Sequence, residues 1–134
     1  ALPTNASIAP EFAPTDDAEV VPIDAVPEDQ MILDIGPASA VELSAKLESC
    51  KTLVWNGPMG AFEMDAYSRG TYAMVDALTN SHSLTIVGGG DTDLAFHKVG
   101  ESYKVSFIST GGGAFLKLLE GKELPGIAAL SKNN

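Results

Sequence analysis

Two runs of three glycines, each placed just after a short apolar run, constrain the fold of this chain more than any other feature. Residues 84–87 (LTIV) lead directly into glycines 88–90, and residues 105–109 (VSFIS) lead, after one threonine, into glycines 111–113. Apolar residues at helical spacing follow both runs. A strand, a glycine bend and a helix in that order are typical of a parallel sheet whose strands are connected by helices.

An earlier segment begins with the same order. Residues 31–35 (MILDI) stop at a Gly-Pro pair, and Ser39 with Glu42 three residues later matches a capping box. This pattern predicts a strand and then a helix to about Ser49, with one face formed by Ala40, Leu43 and Leu47.

Between these segments, residues 52–55 (TLVW) end at a loop, residues 56–60 (NGPMG), that no regular element can cross. A helix follows whose spaced residues are Thr71, Met74, Val75 and Leu78. Four continuous apolar runs, each followed by a helix, indicate the α/β class: a three-layer, Rossmann-like parallel sheet with helices on both faces.

The first thirty residues differ from the rest, since they are rich in proline and acidic residues and have only short apolar pieces. They predict one or two strands linked by loops, or a segment that needs a partner sheet. We therefore divide the chain into residues 1–30, a strand-and-loop segment, and residues 31–134, which carry the repeated pattern.

Charge and cysteine content narrow the class of function. The 134 residues include 18 acidic and 8 basic side chains, a formal net charge of -10, which disfavours both nucleic acid and an anionic membrane as partners. Cys50 is the single cysteine, so we expect no internal disulfide and a cytoplasmic location. The chain begins at Ala1 with neither an initiator Met nor the features of a signal peptide, so we expect it to begin within a longer protein.

The glycine triplets are the first candidate site. In open parallel sheets ligands bind beyond the carboxyl ends of the strands, where free N–H groups and positive helix termini favour anions such as phosphates. Glycine permits close approach of the backbone to such a group. The alternative is that these glycines only form turns.

Three polar residues near these bends have two interpretations each. Asp91 either caps a helix or binds Mg²⁺ that bridges nucleotide phosphates. Thr92 either caps the same helix or donates to a phosphate oxygen. Glu63 is either a solvated side chain or an acceptor for ribose hydroxyls.

Five sequence blocks together resemble one known enzyme family. They are residues 54–63 (VWNGPMGAFE), 85–92 (TIVGGGDT), 109–114 (STGGGA), 119–126 (LEGKELPG) and 34–37 (DIGP). In that order and spacing they are similar to the carboxy-terminal third of the phosphoglycerate kinase family. The resemblance implies an incomplete half of the nucleotide-binding domain, within residues 31–134.

The family's reaction, as the resemblance implies it, transfers a phosphoryl group between 1,3-bisphosphoglycerate and ADP to give 3-phosphoglycerate and ATP in glycolysis, with Mg²⁺. The implied metal ligand is Asp91, and the implied catalytic residues are Gly111, Gly112 and Gly113. The implied nucleotide-binding residues are Asn56, Pro58, Glu63, Gly88, Gly89, Gly90, Asp91 and Thr92.

The resemblance also implies what is absent. The basic, phosphoglycerate-binding domain and the first half of the nucleotide domain have no counterpart here, so we expect the missing amino-terminal portion to be a partner and the chain alone to be inactive. Three residues depart from those common in the family: Phe107, Phe115 and Asp93. Asp93 adds a negative charge beside the glycine bend at residues 88–90. The alternative function is a non-catalytic nucleotide-binding or protein-interaction module.

Overall fold

The computed structural model describes residues 1–15, 18–100 and 104–131 and contains two three-stranded sheets. In the part of the chain so described, no helix has the length and apolar character needed to cross a membrane. In chain order the elements are β1 (Asn5–Ala9), β2 (Glu19–Pro22), β3 (Met31–Ile35), α1 (Pro37–Leu47), β4 (Thr52–Asn56), α2 (Arg69–Thr79), β5 (Leu84–Gly88), α3 (Gly90–Val99), β6 (Phe107–Ser109), α4 (Gly112–Leu119) and α5 (Pro125–Ser131).

The parallel sheet has the order β4-β5-β6 and is flanked by helices, which confirms the α/β class. Strand β6 begins two residues later than the apolar run predicts. The reason is a side-chain exchange: Ser106 N–H donates to Thr85 Oγ1 at 2.9 Å, and Thr85 N–H donates to Ser106 Oγ at 3.1 Å. These bonds replace the backbone ladder at that position.

Strand β3 corrects one sequence-based expectation. It pairs antiparallel with β1 instead of joining the parallel sheet, and β1 also pairs antiparallel with β2. The reason lies in β1, whose residues 6–9 are buried and offer β3 a long-range partner that local periodicity does not reveal. The prediction of one or two strands in the first thirty residues is confirmed, while the division at residue 30 stays a prediction.

The start of α1 is also corrected. The helix begins at Pro37, with Gly36 as its N-cap, so Ser39 lies inside the first turn and no capping box forms. Proline suits this first position because its fixed φ is helical and it has no N–H to leave unpaired. The Ser39 hydroxyl instead accepts the N–H groups of Thr4 and Asn5 at 2.9 Å each and donates to Asn5 O at 2.8 Å.

The main core lies between the parallel sheet and helices α2 and α3. Trp55 of β4 meets Phe96 of α3 edge to face, with 5.6 Å between ring centroids. The buried positions of α2 include the four predicted from spacing, Thr71, Met74, Val75 and Leu78. Hydrophobic burial of this kind supplies most of the free energy that holds helices on a sheet.

The last part of the chain is packed differently. Helix α4 forms as predicted, but none of its residues is buried, and Leu118 and Leu119 remain exposed. Helix α5, which no pattern in the sequence predicted, begins at Pro125 and also buries no residue. The predicted apolar face of α4 is therefore uncovered in the described chain.

Asp34 is a buried carboxylate that links strand β3 to the first turn of α2. Its Oδ1 accepts the N–H of Ile35, and its Oδ2 accepts the N–H of Gly70 in the first turn of α2, both at 2.8 Å. Burial raises the pKa of Asp34 from 3.8 to about 6, against the two hydrogen bonds, which lower it.

This raised pKa predicts a pH dependence of stability. Because the folded chain binds the Asp34 proton more tightly than the unfolded chain, the contribution is fully present below pH 3.8 and is lost as pH rises through about 6. As pH rises from 3.8 to about 6, we expect the urea concentration at the unfolding midpoint to decrease for wild type relative to Asp34→Asn. Urea unfolding across this range checks it, with the exposed Asp24→Asn as control. Parallel pH profiles for wild type and Asp34→Asn would contradict it.

The contact between the Trp55 and Phe96 rings predicts how much stability the chain loses when one ring is removed. Phe96→Ala removes a fully buried ring and should lower the free energy of unfolding by about 3–5 kcal/mol. The matched control is Phe107→Ala, since Phe107 is 66% exposed and should change stability by less than about 1 kcal/mol. Emission of Trp55, the single tryptophan, reports both unfolding and the loss of its neighbour. Equal costs for the two substitutions would argue against this core.

Candidate functional site

The carboxyl ends of the three parallel strands lie level with one another. Asn56 at the end of β4 is in register with Gly88 at the end of β5, and Gly88 is in register with Ser109 at the end of β6. The loops that follow these strands therefore leave the sheet at one edge, which is where ligands bind in open parallel sheets.

The two glycine bends are in direct contact. A Cβ added at Gly112 would lie 2.9 Å from Gly89 Cα and 3.2 Å from Gly89 N, and the Gly89 N–H donates to Ser109 O at 2.8 Å. Gly89 has a φ of +96°, a backbone conformation that residues other than glycine rarely adopt. Here glycine is required both for the turn and for the close approach of the second bend.

Asn56 lies between these bends. A Cβ at Gly88 would be 2.7 Å from Asn56 Oδ1, and one at Gly112 would be 3.0 Å from the same atom. The amide side chain thus fills the space that the missing Cβ atoms leave. Phe115 also packs close to Gly88, since its Cδ1 would be 2.8 Å from a Cβ there.

Helices α3 and α4 both begin at this edge. Their first turns hold Gly90, Asp91 and Thr92 in one case and Gly112 and Gly113 in the other. First-turn N–H groups have no acceptor within their own helix, and the helix dipole places partial positive charge there. Two such termini at one edge make a site that favours an anion.

Asp91 is exposed in the first turn of α3 and does not cap it. The N-cap is Gly89, and no side chain makes a capping hydrogen bond. The capping interpretation is therefore wrong. The carboxylate is exposed to solvent near the carboxyl ends of the strands, where a cation could reach it. No group of three or more metal-binding side chains occurs among the described residues.

Thr92 has a partner that neither interpretation anticipated. Its side chain is fully buried, and its Oγ1 accepts the Gly57 N–H at 2.8 Å. The hydroxyl neither caps α3 nor faces the open edge; it ties the loop after β4 to the first turn of α3. Sequence spacing cannot reveal this bond, because 35 residues separate its partners.

The loop after β4 carries the other predicted residues. Pro58 is half-buried in the bend after β4, and Glu63 is exposed in the turn that follows. Thr71, which the sequence indicated only as one of the spaced residues of a helix, accepts the N–H groups of Met59 and Gly60 through its hydroxyl. The structure thus brings Asn56 onto the glycine bends, with Pro58 two residues further along the chain.

Two carboxylates lie near the glycine bends. Asp91 and Asp93 both lie in the first turn of α3, where the helix dipole favours carboxylates. Asp93 Oδ1 lies 3.3 Å from His97 Nε2 one turn along the helix. Two carboxylates so close to an anion site would oppose phosphate binding unless a cation accompanied the phosphate.

Comparison with known proteins identifies the family. The family model described as phosphoglycerate kinase matches residues 1–122. The chain belongs to the phosphoglycerate kinase family. The phosphoglycerate kinase of Geotalea uraniireducens is 59% identical over 132 residues, which cover 98% of this chain and 33% of that protein.

Solved structures agree with this membership of the phosphoglycerate kinase family. Phosphoglycerate kinase from Coxiella burnetii superposes with a TM-score of 0.87 at 42% identity, over 96% of this chain and 33% of that one. The enzyme from Pyrococcus horikoshii gives a TM-score of 0.81 at 28% identity, over 96% and 32%. The chain therefore spans about a third of the length of the relatives that it matches.

The contact between the bends predicts a difference between adjacent glycines. Gly112→Ala would place a Cβ against the Gly89 backbone, which cannot move aside cheaply, and should destabilise the chain by about 1–3 kcal/mol. Gly113→Ala is the matched control: nothing lies within 4 Å of its Cβ, and alanine favours the helix by up to about 1 kcal/mol. Thermal unfolding of both variants checks the sign. Two equally stable variants would show that the bends are not in contact.

Proposed function

We propose that this chain is the carboxy-terminal portion of a phosphoglycerate kinase and forms the Mg-nucleotide side of its active site. The parent enzyme transfers a phosphoryl group between 1,3-bisphosphoglycerate and ADP, giving 3-phosphoglycerate and ATP in glycolysis. Because the chain spans a third of its relatives, the reaction is assigned to the parent and only part of the site to this chain.

One observation carries the proposal: two glycine bends touch at the carboxyl edge of a parallel sheet, and a helix starts from each. Phosphoryl transfer needs little covalent help from a protein. It depends on holding the donor and acceptor in line and on stabilising charge on the equatorial oxygens. Backbone N–H groups fixed at two helix starts suit both tasks.

In this proposal, different residues of the site contact different parts of the nucleotide. Gly88, Gly89 and Gly90 bring backbone close to the phosphates, with Thr92 holding the neighbouring loop by its hydroxyl. Asn56 and Pro58 border the nucleotide on the β4 side, and Glu63 accepts hydrogen bonds from the ribose. The bend of Gly111, Gly112 and Gly113 directs N–H groups toward the transferring phosphoryl group.

The donor set fits a magnesium ion that arrives with the nucleotide. Mg²⁺ is usually held by one or two carboxylates together with phosphate oxygens and water, and Asp91 supplies one exposed carboxylate beside the phosphate bend. When bound, such an ion neutralises phosphate charge. Asp91 holds it there and, without it, repels the phosphates.

Phosphoryl transfer also uses basic groups that stabilise the charge of the transferred group. In the described residues, neither helix that starts at the bends has a lysine or arginine in its first turn; their basic residues lie in the last turns. We propose that the missing amino-terminal portion supplies the basic groups and the phosphoglycerate site, and that the chain alone is inactive. A coupled kinase assay with and without that portion tests this.

The role of Asp91 predicts opposite effects with and without magnesium. Asp91→Asn should raise the Kd for MgADP about tenfold, equivalent to about 1.4 kcal/mol. For ADP without Mg²⁺ the same variant should bind as tightly as wild type or more tightly, because a repulsive carboxylate is gone. Calorimetric titration of the chain measures both.

The matched control is Asp29→Asn, an exposed carboxylate in a turn of the first segment, which should leave both constants unchanged. Equal effects of Asp91→Asn with and without magnesium would exclude the metal role. No saturable binding of MgADP to wild type would exclude nucleotide binding by the isolated chain. Saturable binding with no activity after the missing portion is added would favour a non-catalytic nucleotide-binding module.

A further inference from the structure

The bend at residues 57–61 donates every backbone N–H that it has to the surrounding protein. Gly57 donates to Thr92 Oγ1 at 2.8 Å, Pro58 has no N–H, and Ala61 donates to Leu33 O at 2.8 Å. The two between them, Met59 and Gly60, are held by a single hydroxyl. This bend therefore has no N–H left for a phosphate, unlike the two glycine bends beside it.

The hydroxyl that holds the middle of the bend belongs to Thr71. Its Oγ1 accepts the Met59 N–H at 3.1 Å and the Gly60 N–H at 3.3 Å, and the side chain is fully buried. Thr71 is the third residue of α2, just as Thr92 is the third residue of α3. The first turns of two helices thus hold one loop by matching threonine hydroxyls.

Asp34 fixes the turn that carries Thr71. Its carboxylate accepts the N–H of Gly70, the residue before Thr71, and a Cβ on either Gly70 or Gly60 would collide with it. The bend and the start of α2 are therefore packed against one buried carboxylate. Rotation of Thr71 away from the bend would leave two N–H groups without their acceptor.

We propose that Thr71 is a positioning residue for the nucleotide site. It acts through the bend: by holding Met59 and Gly60, it sets where Asn56 and Pro58 stand relative to the glycine bends. This assignment rests on the proposed nucleotide function. It follows that the bend meets a nucleotide with side chains and carbonyl groups, while the N–H contacts come from the starts of α3 and α4.

The test compares Thr71→Val, which keeps the shape and removes the hydroxyl, with Thr71→Ser, which keeps the hydroxyl. Residue-resolved amide exchange by NMR on the chain should show at least about fivefold faster exchange at Met59 and Gly60 in Thr71→Val, the effect of one lost hydrogen bond. Exchange at Gly57, which Thr92 holds, should change less. Thr71→Ser should restore wild-type rates.

Nucleotide affinity is the second readout. The Kd for MgADP should rise about fivefold or more in Thr71→Val and stay near wild type in Thr71→Ser. Thr79→Val is the control, because Thr79 lies on the same helix and its hydroxyl donates only to the Asp76 carbonyl in its own last turn. All measurements are made at a temperature where each variant is folded by circular dichroism.

The outcomes separate the two ideas. A lower melting temperature for Thr71→Val with wild-type exchange at Met59 and Gly60 would make Thr71 merely structural and overturn the proposal. If wild type binds no MgADP, nucleotide binding by the isolated chain is excluded, and the exchange pattern alone decides whether Thr71 holds the bend. If Thr71→Val does not fold, amide temperature coefficients on the wild-type chain decide it, and solvent-like values at both amides would overturn the proposal.

Discussion

The close contact of two glycine backbones at the tips of β5 and β6 is the constraint on which the site depends. Gly112 approaches Gly89 so nearly that a Cβ would meet backbone at 2.9 Å, and Asn56 occupies the space that remains. This approach brings two helix starts to one edge of the sheet. A side chain at Gly112 would push the two helix termini apart and, with them, the partial positive charge that an anion needs.

A net charge of -10 makes the local arrangement of N–H groups the decisive electrostatic feature. Fixed backbone dipoles attract phosphate at short range whatever the charge of the whole chain, whereas Asp91 and Asp93 oppose it until a cation is present. Under the proposed function, the site therefore favours a phosphate group that already carries a divalent ion over a free one.

Local patterns predicted the parts of the fold that depend on neighbours in sequence. The α/β class and the buried face of α2 followed from apolar spacing, and the glycine bends followed from their place after strands. Pairings across the chain were not predictable: β3 joined β1, and Ser39 bonded to Asn5 across 34 residues. Hydroxyl-to-backbone bonds leave no periodic trace, so the hydrogen bonds from the loop after β4 to Thr71 and Thr92 could not be predicted from the sequence.

The two walls of the candidate site differ in how firmly they are held. The bend at residues 57–61 has four hydrogen bonds to three different elements and a buried core behind it. The bend at residues 111–113 depends on a three-residue strand, one backbone contact and the Phe115 ring, since α4 buries no residue. A short helix gains most of its stability from packing, so the bend at residues 111–113 is held less firmly than the bend at residues 57–61.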